Sequence, residues 1–478
     1  MLVRELMKDI APERIPARYN RPVRGLAYDA ASVLPGMAYF ALRQSACDGH
    51  DHVAEAVDRG AGLIVMEQFG QVSPRVVAVR VRDSRVALAR AAALFHGWPS
   101  RELRVVAVTG GAHLPGVAYF LRQFLSLAGD PAGLIGTLEH HLGRHVLPSR
   151  AGCEEPLDIQ RMLASMLRED LRTGVVELDA CACEHGWARD LEIHTLVQLP
   201  APSGAGAPPA LRARRRFSVD LDTGSDFTVG VRDGGGRPLF QLPVASRRAT
   251  PEGWVCQVDL PDGRRALRLP FLGGDQLEAA LSAAVAAVAL GVPSDRLPAL
   301  CRRLQGIPGE REIIRQGQPF TLLVDGAAEP DTLAELVREV RGLTAGRLLL
   351  LAGARGDQTS PVRSQLGFVA GRAANFTLFT GNDPGGECPV RLNTPANEAA
   401  VTTRPGGADL EPDRGCAIDR LVRLALPGDL VLLTGKGRRT TQEIDHSIVP
   451  FDDRLHAART LDALGWRRDR RRKPLATR

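Results

Sequence analysis

The chain has 478 residues, 44% of them apolar and 24% charged, the balance of a soluble globular protein with room for about three domains. No apolar run approaches the ~18 residues a membrane span needs, and Met1–Leu6 opens without a signal-peptide stretch, so a cytoplasmic location with no membrane span is expected. The formal charge is +6, but only three of the 61 basic residues are lysines, Lys8, Lys436 and Lys473, so between positions 9 and 435 no ε-amino group exists to hold a phosphate or carry a carbamate.

Along the chain, the first hundred residues read as a small α/β domain. Val76–Val79 is a short apolar run, Ser84–Phe95 has helical spacing with a serine at its start, and Gly97-Trp98-Pro99-Ser100 is a breaker. A second unit opens with the strand Arg104–Thr109, a glycine turn and a helix from about Pro115 to Leu127, where proline suits the first turn. The helix Leu157–Leu167 and the strand Val175–Leu178 follow, and this alternation argues for a parallel sheet covered on both faces. Pro200–Pro209 reads as a linker. From Phe217 to Leu269 short alternating runs with turns at Asp233–Gly236 and Asp262-Gly263 predict antiparallel hairpins, and helices return at Asp275–Leu290 and Pro293–Leu304. A third α/β unit has strands at Phe320–Val324, Arg347–Leu351, Phe376–Thr380 and Asp429–Thr434, and a helix at Pro330–Val340. The arginine clusters Arg212–Arg216 and Arg467–Lys473 read as solvated surface and a frayed tail; with aromatics at 5% and no matching motif, no nucleic-acid partner is expected. The eight scattered cysteines read as reduced thiols.

Several stretches fall in a recognisable order. They are Tyr28-Asp29, Pro35-Gly36, Phe40–Leu42 and Asp48-Gly49-His50-Asp51; then Val106–Gly110, Gly133–Thr137 and Glu155–Asp158. Val324-Asp325, Pro330-Asp331, Gly356-Asp357, Pro427–Asp429, Gly435-Lys436-Gly437 and Phe451-Asp452-Asp453 complete the set. Together they resemble the Mur ligase family, and within it the branch that adds the third residue to UDP-N-acetylmuramoyl-L-alanyl-D-glutamate. The resemblance implies a three-domain α/β fold: a UDP-substrate-type domain at 1–100, a central P-loop-type parallel-sheet domain with an antiparallel β portion at 101–312, and a Rossmann-like domain at 313–465, followed by a basic tail at 466–478.

The resemblance also implies chemistry, ATP-driven amide formation through an acyl phosphate, and the chain departs from its requirements. The family's phosphate loop, G-T-N-G-K-T-T, cradles phosphates with backbone N–H groups, a lysine and a Mg²⁺-binding hydroxyl. Here Thr109 leads into Gly110-Gly111-Ala112-His113-Leu114-Pro115-Gly116, so leucine replaces the lysine and proline the hydroxyl. Thr109, Gly110, Gly111 and Gly116 are what remains of that loop, Glu177 matches the position of the first metal's carboxylate, and Asp325 is a second remnant. No lysine is available for carbamylation. The family's D-N-P-R becomes Asn382-Asp383-Pro384-Gly385, and G-K-G-H-E becomes Gly435-Lys436-Gly437-Arg438-Arg439, which reverses a charge. Asp48, Gly49, His50 and Lys436 are the candidate substrate-binding residues.

The losses fall on polar positions while the apolar strands persist. The sequence therefore predicts a folded, catalytically inactive family member, a scaffold or regulatory partner of an intact Mur ligase or another cell-wall synthesis protein, with no cofactor. The alternative is an active ATP- and Mg²⁺-dependent ligase with relocated catalytic residues, for which Lys436 is the candidate cation. Cys181-Ala182-Cys183-Glu184-His185 could supply soft metal ligands but reads as small thiols, and the pair His140-His141 reads as surface.

Overall fold

The computed structural model describes residues 1–8, 10, 20–43, 47–68, 73, 76–111, 113–149, 154–179, 188–200, 211–222 and 227–466. The Cys181–His185 cluster, Cys153, most of the Pro200–Pro209 stretch and the tail from 467 onward lie outside the described residues. The chain divides into two compact units, Met1–Pro243 with Glu278–Arg296, and Val244–Leu277 with the chain from Leu297 onward.

The first unit begins with helix α1 (Val3–Met7) and a four-stranded parallel sheet, β1 (Leu26–Ala27), β2 (Ala38–Phe40), β3 (Leu63–Met66) and β4 (Val77–Arg80), in that order. Helix α2 (Val53–Asp58) connects β2 to β3, and α3 (Ser84–Phe95) follows β4. Strand β3 is buried along its whole length, as its uninterrupted Leu-Ile-Val-Met run requires. The cap of α3 is Asp83, whose Oδ1 accepts from the N–H groups of Arg85 and Val86, both at 2.9 Å; the serine expected there, Ser84, is buried inside the first turn.

After the short helix α4 (Pro99–Glu102), the unit's second sheet is built from β5 (Arg104–Thr109), β6 (Ala132–Ile135), β7 (Glu139–Leu142), β8 (His145–Pro148), β9 (Thr173–Glu177), β10 (Ile193–Gln198), β11 (Ala213–Asp222) and β12 (Thr228–Asp233). Their order is β12-β11-β10-β5-β9-β6-β7-β8, parallel from β11 through β6 and antiparallel at both flanks. Helices α5 (Leu114–Ala128) and α6 (Pro156–Arg168) are the crossovers; each has proline in its first turn, and α5 stops at Gly129, left-handed at φ 102°.

A hydrogen bond and an ion pair tie the first sheet and its helix α3 to α6. Tyr28 donates its hydroxyl to Asp158 at 2.6 Å, and Arg85 grips Glu155 through Nε and Nη2 at 3.1 and 3.2 Å. One sequence reading is corrected here. His140 is buried, 4% exposed, with Nε2 3.0 Å from Glu154 Oε1. Strand β7 alternates half-buried and buried positions, which puts His140 and Leu142 on its inner face. The strand's Glu-His-His-Leu sequence is too polar for hydropathy to reveal that alternation.

Strand β13 (Pro238–Thr250) leaves the first unit, where its start pairs with β12, and enters the second, where it pairs antiparallel with β14 (Gly253–Leu260), which pairs with β15 (Gly263–Leu269). Helix α7 (Gly274–Ala289) likewise passes from the second unit back to the first, and the short α8 (Leu297–Cys301) reopens the second. The second unit's main sheet comprises β16 (Glu312–Ile313), β17 (Thr321–Val324), β18 (Leu348–Ala352), β19 (Phe376–Phe379), β20 (Ala408–Leu410) and β21 (Leu430–Leu433). The order is β16-β17-β21-β18-β19-β20, parallel except for β16. Helices α9 (Pro330–Arg341), α10 (Ser360–Ala373), α11 (Pro389–Thr403), α12 (Arg414–Leu424) and α13 (Asp453–Ala463) accompany it, with the hairpin β22 (Thr441–Ile444) and β23 (Ser447–Pro450) before α13. Strands β18 and β21 are buried throughout, and separate apolar clusters cover the sheet's two faces.

Helices α12 and α13 are locked by one interior ion pair. Arg414 binds Asp453 through Nε at 2.7 Å and Nη2 at 2.6 Å, Nη2 also donates to the Thr434 carbonyl at 2.7 Å, and the two side chains are 1% and 0% exposed. Asp453→Ala leaves that guanidinium buried without a counter-charge. It is expected to cost about 3–5 kcal/mol, read from the midpoint of urea unfolding of the full chain, and the paired change Arg414→Met with Asp453→Leu is expected to recover most of it. A loss below about 1 kcal/mol for Asp453→Ala would show that the pair does not hold the two helices.

Candidate functional site

The sequence places its phosphate-loop remnant between β5 and α5, and the structure shows how that turn is held. Leu199 donates its N–H to the Thr109 carbonyl at 2.8 Å, and Gly111 donates its own to the Pro200 carbonyl at 3.2 Å. Gly110 has φ 125°, and a Cβ there would lie 2.5 Å from the Leu199 oxygen, so only glycine fits. His113 is left-handed, φ 67°, directly before α5, and its Nε2 stands 3.2 Å from Glu278 Oε2 of α7. Gly116 lies buried in the first turn of α5 beside Pro115, which has no N–H to offer. The largely buried Arg122, next to Tyr119 and Glu139, is two turns, about 12 Å, along α5 from the mouth.

Glu177 closes β9 and faces the end of the neighbouring β6. Its carboxylate accepts from the Thr137 N–H at 2.8 Å and the Thr137 hydroxyl at 2.9 Å. Burial raises its pKa, and the Thr137 bonds oppose that rise. Among the described residues, no group of three or more His, Cys, Asp and Glu side chains is placed to hold a metal ion.

In the first sheet, Asp48, Gly49 and His50 form one turn. Asp48 Oδ1 accepts from the His50 N–H at 3.0 Å and lies 2.6 Å from His50 Nδ1, while His50 Nε2 accepts from the Glu67 N–H at 3.0 Å. The first of these bonds is the main reason the Asp48 pKa is lowered. Gly49 gives its N–H to Leu42 and accepts from the Tyr39 hydroxyl, both at 2.8 Å. The polar atoms of all three candidates thus bond to neighbouring protein groups.

The second unit carries a cavity of about 760 Å³ lined by Arg355, Asp357, Asp383, Glu387, Arg439 and His446, among others. Its charged walls are paired with one another. Asp383 accepts from Lys436 Nζ at 2.7 Å and from Arg439 Nη1 at 2.8 Å, and Arg363 behind the wall binds Glu387 at 2.8 and 2.9 Å. Lys436 itself is 2% exposed, with a second bond to the Thr441 carbonyl at 2.9 Å, which places its ammonium inside the fold. Burial lowers the Lys436 pKa, and Asp383 opposes the change. Burial works against ionisation of Asp383 too, yet Lys436, the Glu443 N–H and Arg439 hold its carboxyl below the usual range.

Asp325 follows β17 and accepts from the N–H groups of Arg311 and Ala327 at 2.9 and 2.8 Å, and burial raises its pKa. Arg311, which the sequence reading missed, reaches Glu339 at 2.8 Å and Asp275 at 3.3 Å. Only its left-handed backbone, φ 46°, marks it, and no sequence signal announces that.

Two parallel sheets fed by crossover helices, one with a glycine turn opening a helix, define an α/β protein. The description "Mur ligase, glutamate ligase domain" matches residues 311–437. The UDP-N-acetylmuramyl-tripeptide synthetase of Roseiflexus sp. (strain RS-1) is 31% identical over 510 residues, spanning 98% of this chain and 100% of that protein. The UDP-N-acetylmuramoyl-L-alanyl-D-glutamate--2,6-diaminopimelate ligase of Solibacter usitatus (strain Ellin6076) is 28% identical over 494 residues, spanning 97% of each. A solved structure of a ligase of that second name shares the fold at a TM-score of 0.63 and 19% identity, over 97% of this chain and 99% of its own. The chain belongs to the Mur ligase family, whose members work in peptidoglycan precursor synthesis.

The Asp383 cluster gives a measurable pH signature. Its folded pKa lies below the unfolded one, so its stabilisation is present above about pH 4 and is lost as pH falls through the depressed value. Asp383 has φ 49°, a conformation asparagine tolerates, so Asp383→Asn changes charge with little backbone strain. The variant is expected to lose about 2–4 kcal/mol at pH 7, because Lys436 stays buried without its carboxylate, and the gap to wild type is expected to shrink in denaturant titrations below pH 4. A pH-independent gap would contradict this assignment.

Proposed function

We propose that this chain is a homologue of the UDP-MurNAc-tripeptide synthetases that does not catalyse ligation and serves as a scaffold or regulatory partner in peptidoglycan precursor synthesis. The observation that carries the reading is the turn at residues 110–116. A triphosphate there needs converging N–H donors and a cation. The Gly111 N–H is bonded to Pro200, Pro115 has no N–H, Leu114 has no charge, and His113 is paired with Glu278. These residues do not fit a nucleotide's phosphates with Mg²⁺, and no catalytic step is routed through them. Thr109, Gly110, Gly111, Gly116, Glu177 and Asp325 are then structural remnants of a nucleotide and metal site.

Further support comes from the pattern of change. The apolar strands β5, β9, β18 and β21 are intact and buried, whereas the altered positions are polar ones that chemistry would use. In this reading residues 1–100 are the UDP-substrate-type domain, 101–312 the ATPase-like domain and 313–465 the C-terminal ligase-type domain, in a cytoplasmic protein whose partner is an intact Mur ligase or another cell-wall synthesis protein.

The test is calorimetry with ATP and Mg²⁺, followed by an ADP-release assay with UDP-N-acetylmuramoyl-L-alanyl-D-glutamate and candidate amino acids. No saturable heat and no ADP above background are expected. Substrate-dependent ADP release would overturn the proposal.

A further inference from the structure

The turn that carries Asp48, Gly49 and His50 also brings together three side chains that the family reading does not use. Cys47 precedes the turn and His52 ends it, with Sγ 3.2 Å from Nε2. The other imidazole nitrogen, Nδ1, is 3.7 Å from Glu55 Oε2 on the first turn of α2. A thiol and a base are therefore in contact, with an acid, itself bonded to Arg59 at 3.0 Å, close to the base's other nitrogen, the grouping that activates a nucleophile. The turn is rigidly specified: Gly49 is bonded to Leu42 and Tyr39, and a Cβ on Gly49 would meet the Leu42 backbone at 2.8 Å. His50, two residues from His52, cannot substitute, since both its ring nitrogens are engaged by Asp48 and Glu67.

An imidazole contact distinguishes this exposed thiol. Cys47 is exposed, and the His52 and Glu55 side chains are 47% and 44% exposed. Burial pushes the Cys256 thiol up to about 11 and the Cys301 thiol up to about 12, which keeps both protonated and unreactive near neutrality. The exposed Cys388 caps α11, where the N–H groups of Arg391 and Val390 lower its pKa, whereas Asp413 raises that of Cys416; among the described thiols the imidazole contact belongs to Cys47.

We infer that Cys47, His52 and Glu55 form a thiol-exchange site that takes up a low-molecular-weight disulfide. His52 Nε2 accepts the Cys47 proton, and Glu55 steadies the imidazolium. The thiolate attacks one sulfur of the disulfide RSSR, the S–S bond breaks as the Cys47–S–SR bond forms, and the leaving thiolate takes the proton from His52 as RSH. One thiol and one disulfide are consumed, and one mixed disulfide and one thiol are produced. The adduct stands directly beside Asp48 and His50, so the state of the thiol marks the candidate substrate turn of the first sheet.

The test exposes the full chain briefly to bis(2-hydroxyethyl) disulfide at pH 7 and follows adducts by peptide mapping. The Cys47 peptide is expected to be labelled ahead of that of Cys416, whose thiol Asp413 keeps protonated. His52→Gln is expected to slow labelling of Cys47 about ten-fold and Glu55→Gln two- to three-fold, with Cys388 and Cys416 unchanged as internal controls. Labelling of Cys47 no faster than Cys416, or a Cys47 rate indifferent to both substitutions, would overturn the inference. Should His52→Gln fail to fold, Glu55→Gln decides alone.

Discussion

Burying a guanidinium is costly unless a carboxylate or carbonyl oxygens meet it. This chain draws nearly all its positive charge from arginine, and that constraint shapes both units. Arg414 is matched by Asp453, Arg363 by Glu387, Arg347 by Asp429, Arg85 by Glu155, and Arg311 by Asp275 and Glu339. The exposed pairs contribute little each. The buried ones, such as Arg414 with Asp453, fix helix against helix, because separating them strands a charge.

The same pairing governs the candidate sites. A cation held by a carboxylate must give up that partner before it can hold a substrate phosphate. At the mouth of the first unit's second sheet, His113 is engaged by Glu278, and at the second unit's cavity Asp383 is shared by Arg439 of the lining and the buried Lys436 behind it. Charge that a ligand could use is spent on the protein itself, and the hydrogen-bonding capacity of the glycine turn is directed to the carbonyl of Pro200. A fold can keep its sheets under such replacements because the strands are stabilised by apolar burial, which the loop residues do not supply.

The sheets were legible because their strands are uninterrupted apolar runs. Arg104–Thr109 is β5 to the residue, and Ser84–Phe95 is α3. Hairpin turns at Asp233–Gly236 and Asp262-Gly263 could be placed from turn chemistry alone. The buried His140 was not legible, since a four-residue strand of polar letters has no hydropathy contrast. Nor was any long-range partnership: Tyr28 with Asp158, Arg414 with Asp453 and His113 with Glu278 join residues 130, 39 and 165 positions apart, and nothing in one sequence says which acid meets which base. Lys436 was visible as a rare lysine, but its engagement by Asp383 depends on the turn that follows β21.

The placement of Asp453 bears on how this protein can be dissected. The region that matches the glutamate ligase domain ends at residue 437, whereas the acid that neutralises Arg414 lies sixteen residues beyond it, on the last described helix. A truncated piece cut at the homology boundary would carry an orphan cation in its centre and would also lack α13, whose Ala457 and Leu461 fill one apolar cluster. A stable piece therefore needs more of the chain than the residues 311–437 that match the family description.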